Sequence, residues 1–428
     1  MLIISGLSDI QSLNINRPQG KAMKNIVVLG SNFAGFTAAL QLHKKLGRKR
    51  KQYQVTVVSP SHEFLYVPSL IWVPFGRRKV KDLKFDLRPI FKKKGIRFIQ
   101  EAALRVDPEC NMVYLADNSS IAYEYLVVAT GVKMNFDVVE GLKPEDDKIQ
   151  NIVIPRLATK TLEAFDELVK DPGPVVVGAT QGASCMGAAY EYLFNMDKEL
   201  RRHKVRDKVK LYWITPEPYL GNFGIDGMPG GEKMLKMFMK MYHIEWIVDA
   251  SIDRLEDDKI ILKSGEELPY KMAMLMPPFE GAEVMQASPA LVDAKGFVET
   301  TGTYQHIKYK NVFAAGLAVQ VTPPFEIENT PFGVPKTGYP SDVTGKIVAK
   351  NIIRLINGRE KLIEKEWGRI PAICIMDAGH KEVYLLANHL FKPRQIAIMV
   401  PNVFNDLGKV LLEKYFLWKN RHGYAWLP

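Results

Sequence analysis

The stretch KNIVVLGSNFAGFTAALQLHKKLG, residues 24–47, decides the fold. A short apolar run ends in a glycine turn, and the alanines and leucines after it recur at helical spacing. The segment QVTVVS, residues 54–59, has the composition of a second buried strand. Together they predict a strand, a helix and a strand that open a parallel sheet.

The same pattern starts again in PVVVGATQGASCMGAAYEYLF, residues 174–194, and VKLYWITPEP, residues 209–218, is the strand after it. NVFAAGLA, residues 311–318, returns to an Ala-Gly turn like the Ala-Thr-Gly at residues 129–131. We therefore predict an α/β fold with two Rossmann-like nucleotide-binding domains and a C-terminal α+β region that contains an amphipathic helix.

The predicted boundaries place the second nucleotide-binding domain inside the first. A loose N-terminal extension covers residues 1–22, and the first domain has two parts, 23–140 and 291–365. The second domain is 141–290, and a C-terminal region for redox chemistry and membrane attachment is 366–428.

Composition narrows the partners of this 428-residue chain. Lysine and arginine number 58 against 47 acidic residues, a formal net charge of +11 that suits an anionic surface. The chain has no zinc-ligand spacing, RNP-like aromatic strand or basic region running into heptads, so neither nucleic acid nor a metal is expected. It also has no apolar run of about 20 residues, the length that spans a bilayer.

The first glycine turn departs from a dinucleotide fingerprint. Gly30 and Gly35 hold the first and third glycine positions of GxGxxG, but Asn32 holds the middle one. Such a turn places a helix N-terminus against a pyrophosphate, and we expect Asn32 to take the positive φ that a glycine would adopt. Ser59 stands where an acidic residue usually binds the ribose. A packing turn without a ligand is the alternative.

The second turn predicts different chemistry. Gly178 and Gly182 have the wrong spacing for a fingerprint, and Thr180 stands where close approach needs glycine, so an NAD(P)H site is not expected. Cys185 falls in the first turns of the helix, where the helix dipole lowers a thiol pKa and favours the thiolate. The alternative is a small buried apolar side chain.

The motifs GSNFAG, SHEFLYVPSL, ATG, GASCMGAAYE, TPEPYLGNFG, VPKTGYPSDVTGKIVAKNI and ICIMDAG occur in this order. From about Met23 to the C-terminus, the chain resembles the sulfide:quinone oxidoreductase family of flavoproteins and the related flavoprotein subunit of flavocytochrome c sulfide dehydrogenase. GASCMGAAYE and ICIMDAG are the most specific motifs, since they supply Cys185 and Cys374 where the family keeps its redox pair.

The resemblance implies a disulfide or polysulfide centre of Cys185 and Cys374 beside a non-covalent FAD. Sulfide would attack this centre, and electrons would pass through the flavin to a membrane quinone. Glu191 matches a family acid suited to proton transfer near the thiols, and a helix-surface carboxylate is its alternative. Lys336 matches a family lysine near the flavin pyrimidine edge, where a cation stabilises the reduced ring, and a surface lysine is its alternative.

The resemblance also implies which residues hold the flavin dinucleotide. They are Gly30, Ser31, Asn32, Phe33, Ala34, Gly35, Ser59, Ala103, Ala129, Thr130, Gly131, Gly316 and Lys336.

Several positions depart from the family pattern. Asn32, Ser59 and Leu317, the last in place of the aspartate that holds the ribityl chain, predict weakened or altered flavin binding. Val153 stands where a third cysteine is common, and Cys110 reads as an incidental strand-turn residue. A covalent flavin link is therefore not expected.

The C-terminal segment VFNDLGKVLLEKYFLWKNRHGYAWLP, residues 403–428, interleaves apolar and basic residues. Its apolar and aromatic positions are Val403, Leu407, Val410, Leu411, Phe416, Trp418 and Trp426. This pattern predicts a helix lying in a membrane interface, with quinone in reach; closing the core or making a dimer contact is the alternative.

We expect a peripheral membrane protein that forms a homo-oligomer. Because the N-terminus has a short apolar segment but no basic start or cleavage site, the cytoplasmic face is favoured. Three other functions stay open from the sequence: a soluble sulfide dehydrogenase that donates to a cytochrome, an NADH:quinone oxidoreductase, and a binding homologue that holds flavin weakly.

Overall fold

A computed structural model describes residues 23–327, 329–402 and 406–427, so the predicted extension 1–22 and Val403 lie outside the described residues. The first elements are β1 (Lys24–Leu29), α1 (Phe33–Leu46), β2 (Tyr53–Val58), β3 (Glu63–Leu65), β4 (Lys84–Asp86), α2 (Arg88–Lys94), β5 (Arg97–Ile99), β6 (Ala103–Asp107), β7 (Met112–Leu115), β8 (Ser120–Ala122), β9 (Tyr125–Val128) and β10 (Val132–Met134). The middle elements are β11 (Ile149–Gln150), α3 (Pro155–Lys170), β12 (Val175–Ala179), α4 (Met186–Arg202), β13 (Leu211–Ile214), α5 (Gly231–Met241), β14 (Ile244–Ile247), β15 (Ile252–Leu255), β16 (Lys259–Leu262), β17 (Glu267–Pro269), β18 (Met272–Met276), β19 (Phe279–Gly281) and α6 (Glu283–Gln286). The last are β20 (Val312–Ala314), α7 (Gly338–Ile356), β21 (Ala372–Asp377), β22 (Glu382–Ala387), β23 (Ala397–Asn402) and α8 (Leu407–Arg421).

The first sheet is parallel, with the strand order β20-β9-β1-β2-β5. Its central strand β1 is buried on both faces from Ile26 to Leu29, which is why the sequence there is continuously apolar. Because the carboxyl ends of parallel strands meet at one edge, the turns that start at Gly30, Ser59, Ala129 and Ala315 lie together. This edge is the nucleotide end of the first sheet.

The second sheet is also parallel, with the order β11-β18-β12-β13-β14. The antiparallel pair β10 and β19 joins the two regions of the chain, since its strands lie just outside either end of the second-sheet segment. The predicted pair of Rossmann-like sheets is therefore present, with the first sheet completed by a strand from after the second. The domain boundaries to the residue stay a prediction.

The C-terminal region is the antiparallel sheet β21-β22-β23 followed by α8. One face of this sheet is buried through Val383, Leu385 and Met399. The opposite face exposes a cross-strand row of Ile373, Leu386 and Ile398, which are paired in register. The sheet therefore presents an apolar outer surface.

Helix α8 follows this sheet in the chain. Its first turn is fixed to the sheet, because the backbone N–H groups of Gly408 and Lys409 donate to the Glu382 carboxylate on β22. The helix turns charged residues inward and apolar residues outward. Lys409, Glu413 and Lys419 are buried in ion pairs with Glu191, Arg78 and Asp342, respectively. Leu407, Leu411 and Trp418 are exposed, and Phe416 is buried.

Within the described part of the chain, no helix combines the length and the apolarity that crossing a bilayer requires.

Candidate active site

The first glycine turn lies between β1 and α1, and its glycines are required by close backbone contacts. Gly30 has φ +98°, and a Cβ there would lie 2.2 Å from the Ala129 carbonyl oxygen. A Cβ on Gly35 would lie 2.1 Å from the Gly30 carbonyl oxygen. Since such separations are shorter than any non-bonded contact, only glycine lets β1, α1 and the end of β9 approach this closely.

Asn32 corrects one expectation. Its backbone is extended, with φ −91° and ψ −164°, so the predicted positive φ is wrong. The extended conformation lets its carbonyl accept the Phe36 N–H at 2.8 Å and start α1, which is the ordinary geometry of an N-cap residue. The absence of glycine at this position therefore causes no backbone strain.

Two polar atoms at this edge have no internal partner. The Asn32 Oδ1 and Thr130 Oγ1 atoms are buried, and neither has a hydrogen-bond partner among the described residues. Buried polar atoms are normally satisfied, so this pair fits a site that a polar ligand completes. With the glycine cradle, these atoms fit the dinucleotide expected from the sequence.

Ser31 and Ser59 connect the ends of β1 and β2. The Ser31 and Ser59 hydroxyls are hydrogen-bonded at 2.9 Å, and the Ser59 oxygen also accepts the Ser61 N–H at 3.3 Å. The Ser31 hydroxyl also lies 3.2 Å from the Ser61 carbonyl oxygen, so either serine can be the donor within the pair. The Ser59 hydroxyl can bond a ribose hydroxyl, with fewer bonds than a carboxylate would accept.

The last turn of the first sheet also needs its glycine. Gly316 has φ +70°, and a Cβ there would lie 2.8 Å from the Ala34 Cβ. Its N–H donates to Thr344 Oγ1 at 2.9 Å. The turn thus packs directly on the start of α1, and Leu317 follows it where the family has aspartate.

Lys336 is buried beside this turn, which rules out its alternative as a surface lysine. Its Nζ donates to the carbonyls of Leu317 at 2.9 Å and Val319 at 2.7 Å, and lies 3.4 Å from the centroid of the Phe297 ring. Burial lowers the pKa of Lys336 to about 7. The side chain can therefore exchange a proton near neutral pH.

The remaining predicted flavin contacts are placed less directly. Phe33 and Ala34 begin α1, and Gly131 follows β9 with φ +74°. Ala103 begins β6 and pairs with Leu115 in the small antiparallel sheet, outside the parallel one. Their contacts with a flavin stay predictions.

The second turn has no room for a phosphate of the usual kind. Gly178 is required by strand packing, because a Cβ there would lie 1.9 Å from the Ile214 carbonyl oxygen. The Gly182 N–H donates to the Pro331 carbonyl at 2.5 Å, and the Gly333 N–H donates to the Ala183 carbonyl at 2.8 Å. The loop 331–333 therefore takes the position and the donor that a nucleotide would use.

The two predicted cysteines lie on the neighbouring elements α4 and β21. Cys185 is the residue before α4, and Cys374 lies in the middle of β21, paired with Leu385 on the buried face of that sheet. The Asp377 N–H at the end of β21 donates to Glu191 Oε1 on α4 at 3.1 Å, which fixes the strand on the helix. Both cysteines are free thiols. Part of the Cys374 side chain is open to solvent, but enough protein lies around it to desolvate the thiol.

The thiol pKa values correct the expectation for Cys185. Burial, followed by the charge of Glu191, raises the pKa of Cys185 to about 11, although the Ala188 N–H acts in the opposite direction. Burial and Glu191 likewise raise the pKa of Cys374 to about 12, with a further contribution from Cys185. The prediction of a stabilised thiolate is wrong for the reduced pair, because desolvation outweighs the helix terminus.

Glu191 is buried, which excludes its alternative on the helix surface. Its Oε2 pairs with Lys409 Nζ of α8 at 2.5 Å. Burial raises the pKa of Glu191 to about 7 against the lowering effect of Lys409. The group therefore changes charge near neutral pH beside two thiols whose pKa values depend on that charge.

Sequence reasoning missed Lys409, Asp377, Trp72 and Arg77. The Asp377 carboxylate accepts from Trp72 Nε1 at 2.7 Å and Arg77 at 3.1 Å. Burial raises the pKa of Asp377, but Lys409, Trp72 and Arg77 outweigh it and hold the pKa below its usual range. The only available signal was the position of Asp377 in ICIMDAG, three residues after Cys374.

Tyr66 lies between the start of α1 and helix α8. Its ring centroid lies 6.1 Å from that of Phe33, at the start of α1, and 6.0 Å from that of Phe416 on α8. Burial raises the pKa of Tyr66 well above its usual range, and Glu413, Glu191 and Cys374 add to the shift. Tyr66 therefore lies near the start of α1 and close enough to Cys374 for that thiol to affect its pKa.

Cys110 lies apart from this arrangement. It is exposed in the turn between β6 and β7, where its N–H donates to Asp107 Oδ1 at 3.1 Å. This position agrees with its interpretation as an incidental turn residue. Val153 precedes α3 and is half-buried.

Two parallel nucleotide-type sheets, the first completed by a strand from after the second, define the class of the pyridine nucleotide-disulphide oxidoreductases. The profile of that family matches residues 24–331.

The similarity to individual relatives is narrower. The sulfide-quinone reductase of Aquifex aeolicus is 33% identical over 406 residues, which cover 94% of this chain and 92% of the relative. The crystal structure of the Aquifex aeolicus sulfide:quinone oxidoreductase superposes with a TM-score of 0.86 over the same shares of both chains. A type II NADH:quinone oxidoreductase of Staphylococcus aureus is 22% identical over 88% of this chain and 93% of the relative. The chain belongs to the sulfide:quinone oxidoreductase family, which confirms the resemblance and the predicted fold class.

Proposed function

We propose that the protein is an FAD-dependent enzyme that oxidises sulfide and reduces a quinone. The observation that carries this proposal is the cysteine pair. Cys185 and Cys374, 189 positions apart, lie at the start of α4 and in the middle of β21, two elements that the Asp377–Glu191 hydrogen bond connects. The overall reaction takes HS⁻ to zero-valent sulfur with release of two electrons and one proton, and the quinone takes up two electrons and two protons.

FAD would bind along the first turn, with Asn32, Thr130 and Ser59 as its polar contacts. The glycines would let the protein backbone approach the pyrophosphate closely. When bound, it supplies a two-electron acceptor between sulfide and quinone. Lys336 would then hold a proton at its Nζ near the last turn. The binding is proposed as non-covalent.

The cysteine pair would act as a nucleophile-accepting centre in its oxidised form. HS⁻ attacks one sulfur of a Cys185–Cys374 disulfide, which forms a persulfide on that cysteine and breaks the bond to the other, released as a thiolate. Because both thiol pKa values are raised, the released thiolate takes up the persulfide proton and becomes a thiol, which leaves the persulfide ionised. The two electrons taken from sulfide are then held in the reduced sulfur pair until an acceptor takes them.

Glu191 would manage the proton. Its pKa of about 7 lets it accept a proton at the Oε atoms at the pH where sulfide reacts. Protonation also removes the negative charge that raises both thiol pKa values. Lys409 stabilises the ionised form, so that Glu191 returns to it after release of the proton.

Attachment to a membrane would use the C-terminal region. The outer face of β21-β23 exposes Ile373 and Leu386, and the outer side of α8 exposes Leu407, Leu411 and Trp418 among the basic residues Lys414 and Arg421. Exposed apolar patches of this kind commonly mark interaction surfaces. The protein would lie on the cytoplasmic face of the membrane, and the quinone would reach the site from the bilayer. We also propose that the protein forms a homo-oligomer.

An anaerobic titration tests the function. Sulfide added to the flavin-loaded protein should bleach the flavin, and a quinone analogue should restore its colour, whereas NADH should do neither because the loop 331–333 fills the second turn. Bleaching by NADH with no response to sulfide would favour the NADH:quinone alternative. Reoxidation by a cytochrome but not by quinone would favour the soluble dehydrogenase, and a colourless protein would favour the binding homologue.

A further inference from the structure

A basic cavity of about 430 Å³ lies where the C-terminal ends of α1 and α2 meet the end of the chain. Its charged lining residues are His43, Lys44, Arg50, Lys93 and Lys94, and none of the described residues that line it is acidic. Gly423, Ala425 and Trp426 close one side. The cavity lies about 15 Å along α1 from the Gly30 turn, and so is separate from the flavin site.

Four of the nine basic residues in segments 44–51 and 92–94 line the cavity. The nine are Lys44, Lys45, Arg48, Lys49, Arg50, Lys51, Lys92, Lys93 and Lys94. Within the parts of the chain that the structure describes, none of these nine pairs with a carboxylate, whereas the nearby Lys84 and Arg88 pair with Glu63 and Asp86. Nine of the 58 lysine and arginine residues are therefore gathered in two short segments without a carboxylate partner.

The two helix ends explain only part of this charge. A helix C-terminus carries roughly half a negative elementary charge, so α1 and α2 together offset about one cation. Lys44, Arg50, Lys93 and Lys94 line the cavity with four permanent positive charges. An excess of about three positive charges remains for a ligand. The pKa of His43 is lowered by burial and then by Arg50 and Lys94, in agreement with a positive field inside the cavity.

An aromatic row links the cavity to the apolar face of α8. The ring of Trp418 lies 5.6 Å from Tyr424, and Tyr424 lies 4.8 Å from Trp426. Lys44 Nζ then lies 4.1 Å from the Trp426 ring centroid. Both tryptophans are exposed. Apolar, aromatic and basic surfaces thus follow one another in the order in which a bilayer presents its acyl chains, its interface and its anionic headgroups.

We propose that this cavity binds the phosphate headgroup of an anionic phospholipid while the outer side of α8 enters the acyl region. The chemistry recognised is a phosphate anion held by lysine and arginine, with Trp426 at the level of the interface. The proposal deepens the membrane attachment proposed above by naming the lipid class. A nucleic acid is the competing polyanion, but its binding to the cavity would leave the adjoining apolar face exposed to water.

Vesicle co-sedimentation of the flavin-loaded full chain tests the proposal. The vesicles are phosphatidylcholine alone, or phosphatidylcholine mixed with phosphatidylglycerol, at one ionic strength. The variant Arg50→Gln/Lys93→Gln/Lys94→Gln should bind the anionic vesicles about 100-fold more weakly than the wild type, since each cation near an anionic surface contributes about fivefold. Its binding to phosphatidylcholine vesicles and its activity with a water-soluble quinone should not change.

The matched control is Lys233→Gln/Lys263→Gln/Lys361→Gln, which removes the same charge at exposed positions elsewhere. An equal loss of binding in the control, or none in the cavity variant, would overturn the proposal. So would loss of duplex RNA or inorganic phosphate binding in the cavity variant with vesicle binding intact. The variant Leu407→Ser/Leu411→Ser/Trp418→Ser separates the two ideas: if it binds both vesicle types like the wild type, the attachment through α8 fails while the headgroup site stands.

Discussion

The two strand–turn–helix units of this protein share a backbone pattern and differ in what occupies the turn. At β1 and α1, the glycines leave an open cradle with the unpartnered atoms Asn32 Oδ1 and Thr130 Oγ1. At β12 and α4, the loop 331–333 takes the Gly182 N–H and fills the turn. The comparison shows that the same fold unit can bind a nucleotide or position a thiol, depending on whether another loop closes it.

The closing loop also explains why the second unit can carry the cysteine. Gly333 fits against Ser184, where a Cβ would lie 2.1 Å from the serine oxygen, so the loop holds the residue before Cys185 in place. The loop leads on to Lys336 beside the last turn of the first sheet. One segment therefore fixes a thiol on one side and a buried amine on the other.

The largest expected effect on the rate comes from replacing the cysteines of the proposed redox centre. Cys185→Ser and Cys374→Ser should each slow flavin reduction by sulfide at least ~10³-fold, because the lost sulfur is a reacting atom. Anaerobic stopped-flow absorbance measures the rate. Cys110→Ser, in its exposed turn, is the control and should react like the wild type. Normal bleaching in either active-site variant would contradict the proposed centre.

A methyl group added at the open turn should displace the flavin. Gly30→Ala brings a Cβ to 2.2 Å from the Ala129 carbonyl at φ +98°, so we expect a cost on the order of 4 kcal/mol and a purified protein depleted of flavin. The flavin-to-protein absorbance ratio measures this. Gly265→Ala is matched in φ, at +87°, but has no atom within 4 Å, and should keep its flavin with a cost of about 1 kcal/mol. Equal flavin loss in both variants would refute the cradle.

Much of the fold could be read from the sequence because apolar strands, glycine turns and helical periodicity are local patterns. The two sheets and the return of the chain at residues 311–318 follow from them. The pairing of Cys185 with Cys374 does not follow from local patterns, and only the family resemblance predicts it. It would depend on the packing of β21 on α4.

Burial is what sequence reasoning misjudged. The helix position of Cys185 predicted a lowered thiol pKa, but the surrounding protein and Glu191 raise it to about 11. Glu191 and Lys336 carried surface alternatives for the same reason, since a charged side chain gives no sign in the sequence of being enclosed. Lys409 was hidden inside a helix whose charged residues point inward.

Glu191→Gln should give the next effect in size. Loss of the proton acceptor should slow flavin reduction by sulfide about 100-fold at pH 7 to 8. The wild-type rate should change through a pKa of about 7, rising with pH as Glu191 ionises, and the variant should lack this step. The ratio of variant to wild-type rates cancels the ionisation of sulfide itself. A wild-type pH profile in the variant would exclude the role.

Glu217 offers a matched control for that measurement. Burial raises its pKa to about 7 as well, but its partners are the Tyr190 and Thr215 hydroxyls and the Phe223 N–H. Glu217→Gln should keep the pH step in the folded fraction of the protein, so that a changed step in Glu191→Gln cannot be assigned to the loss of any buried carboxyl.

Replacing Lys336 should give the smallest effect, a change in how the free energy of unfolding depends on pH. Its pKa is about 7 in the folded protein and ordinary, near 10.5, when unfolded, so between these values the unfolded chain binds more protons. Stability from this group therefore rises with pH, by up to about 1.4 kcal/mol per pH unit. From pH 7.5 to 9, the free energy of unfolding of the wild type should gain about 2 kcal/mol relative to Lys336→Met, measured by urea denaturation at each pH. Lys295→Met, at an exposed turn, should show no such change, and a pH-independent difference for Lys336→Met would mean that the amine stays charged beside the Leu317 and Val319 carbonyls.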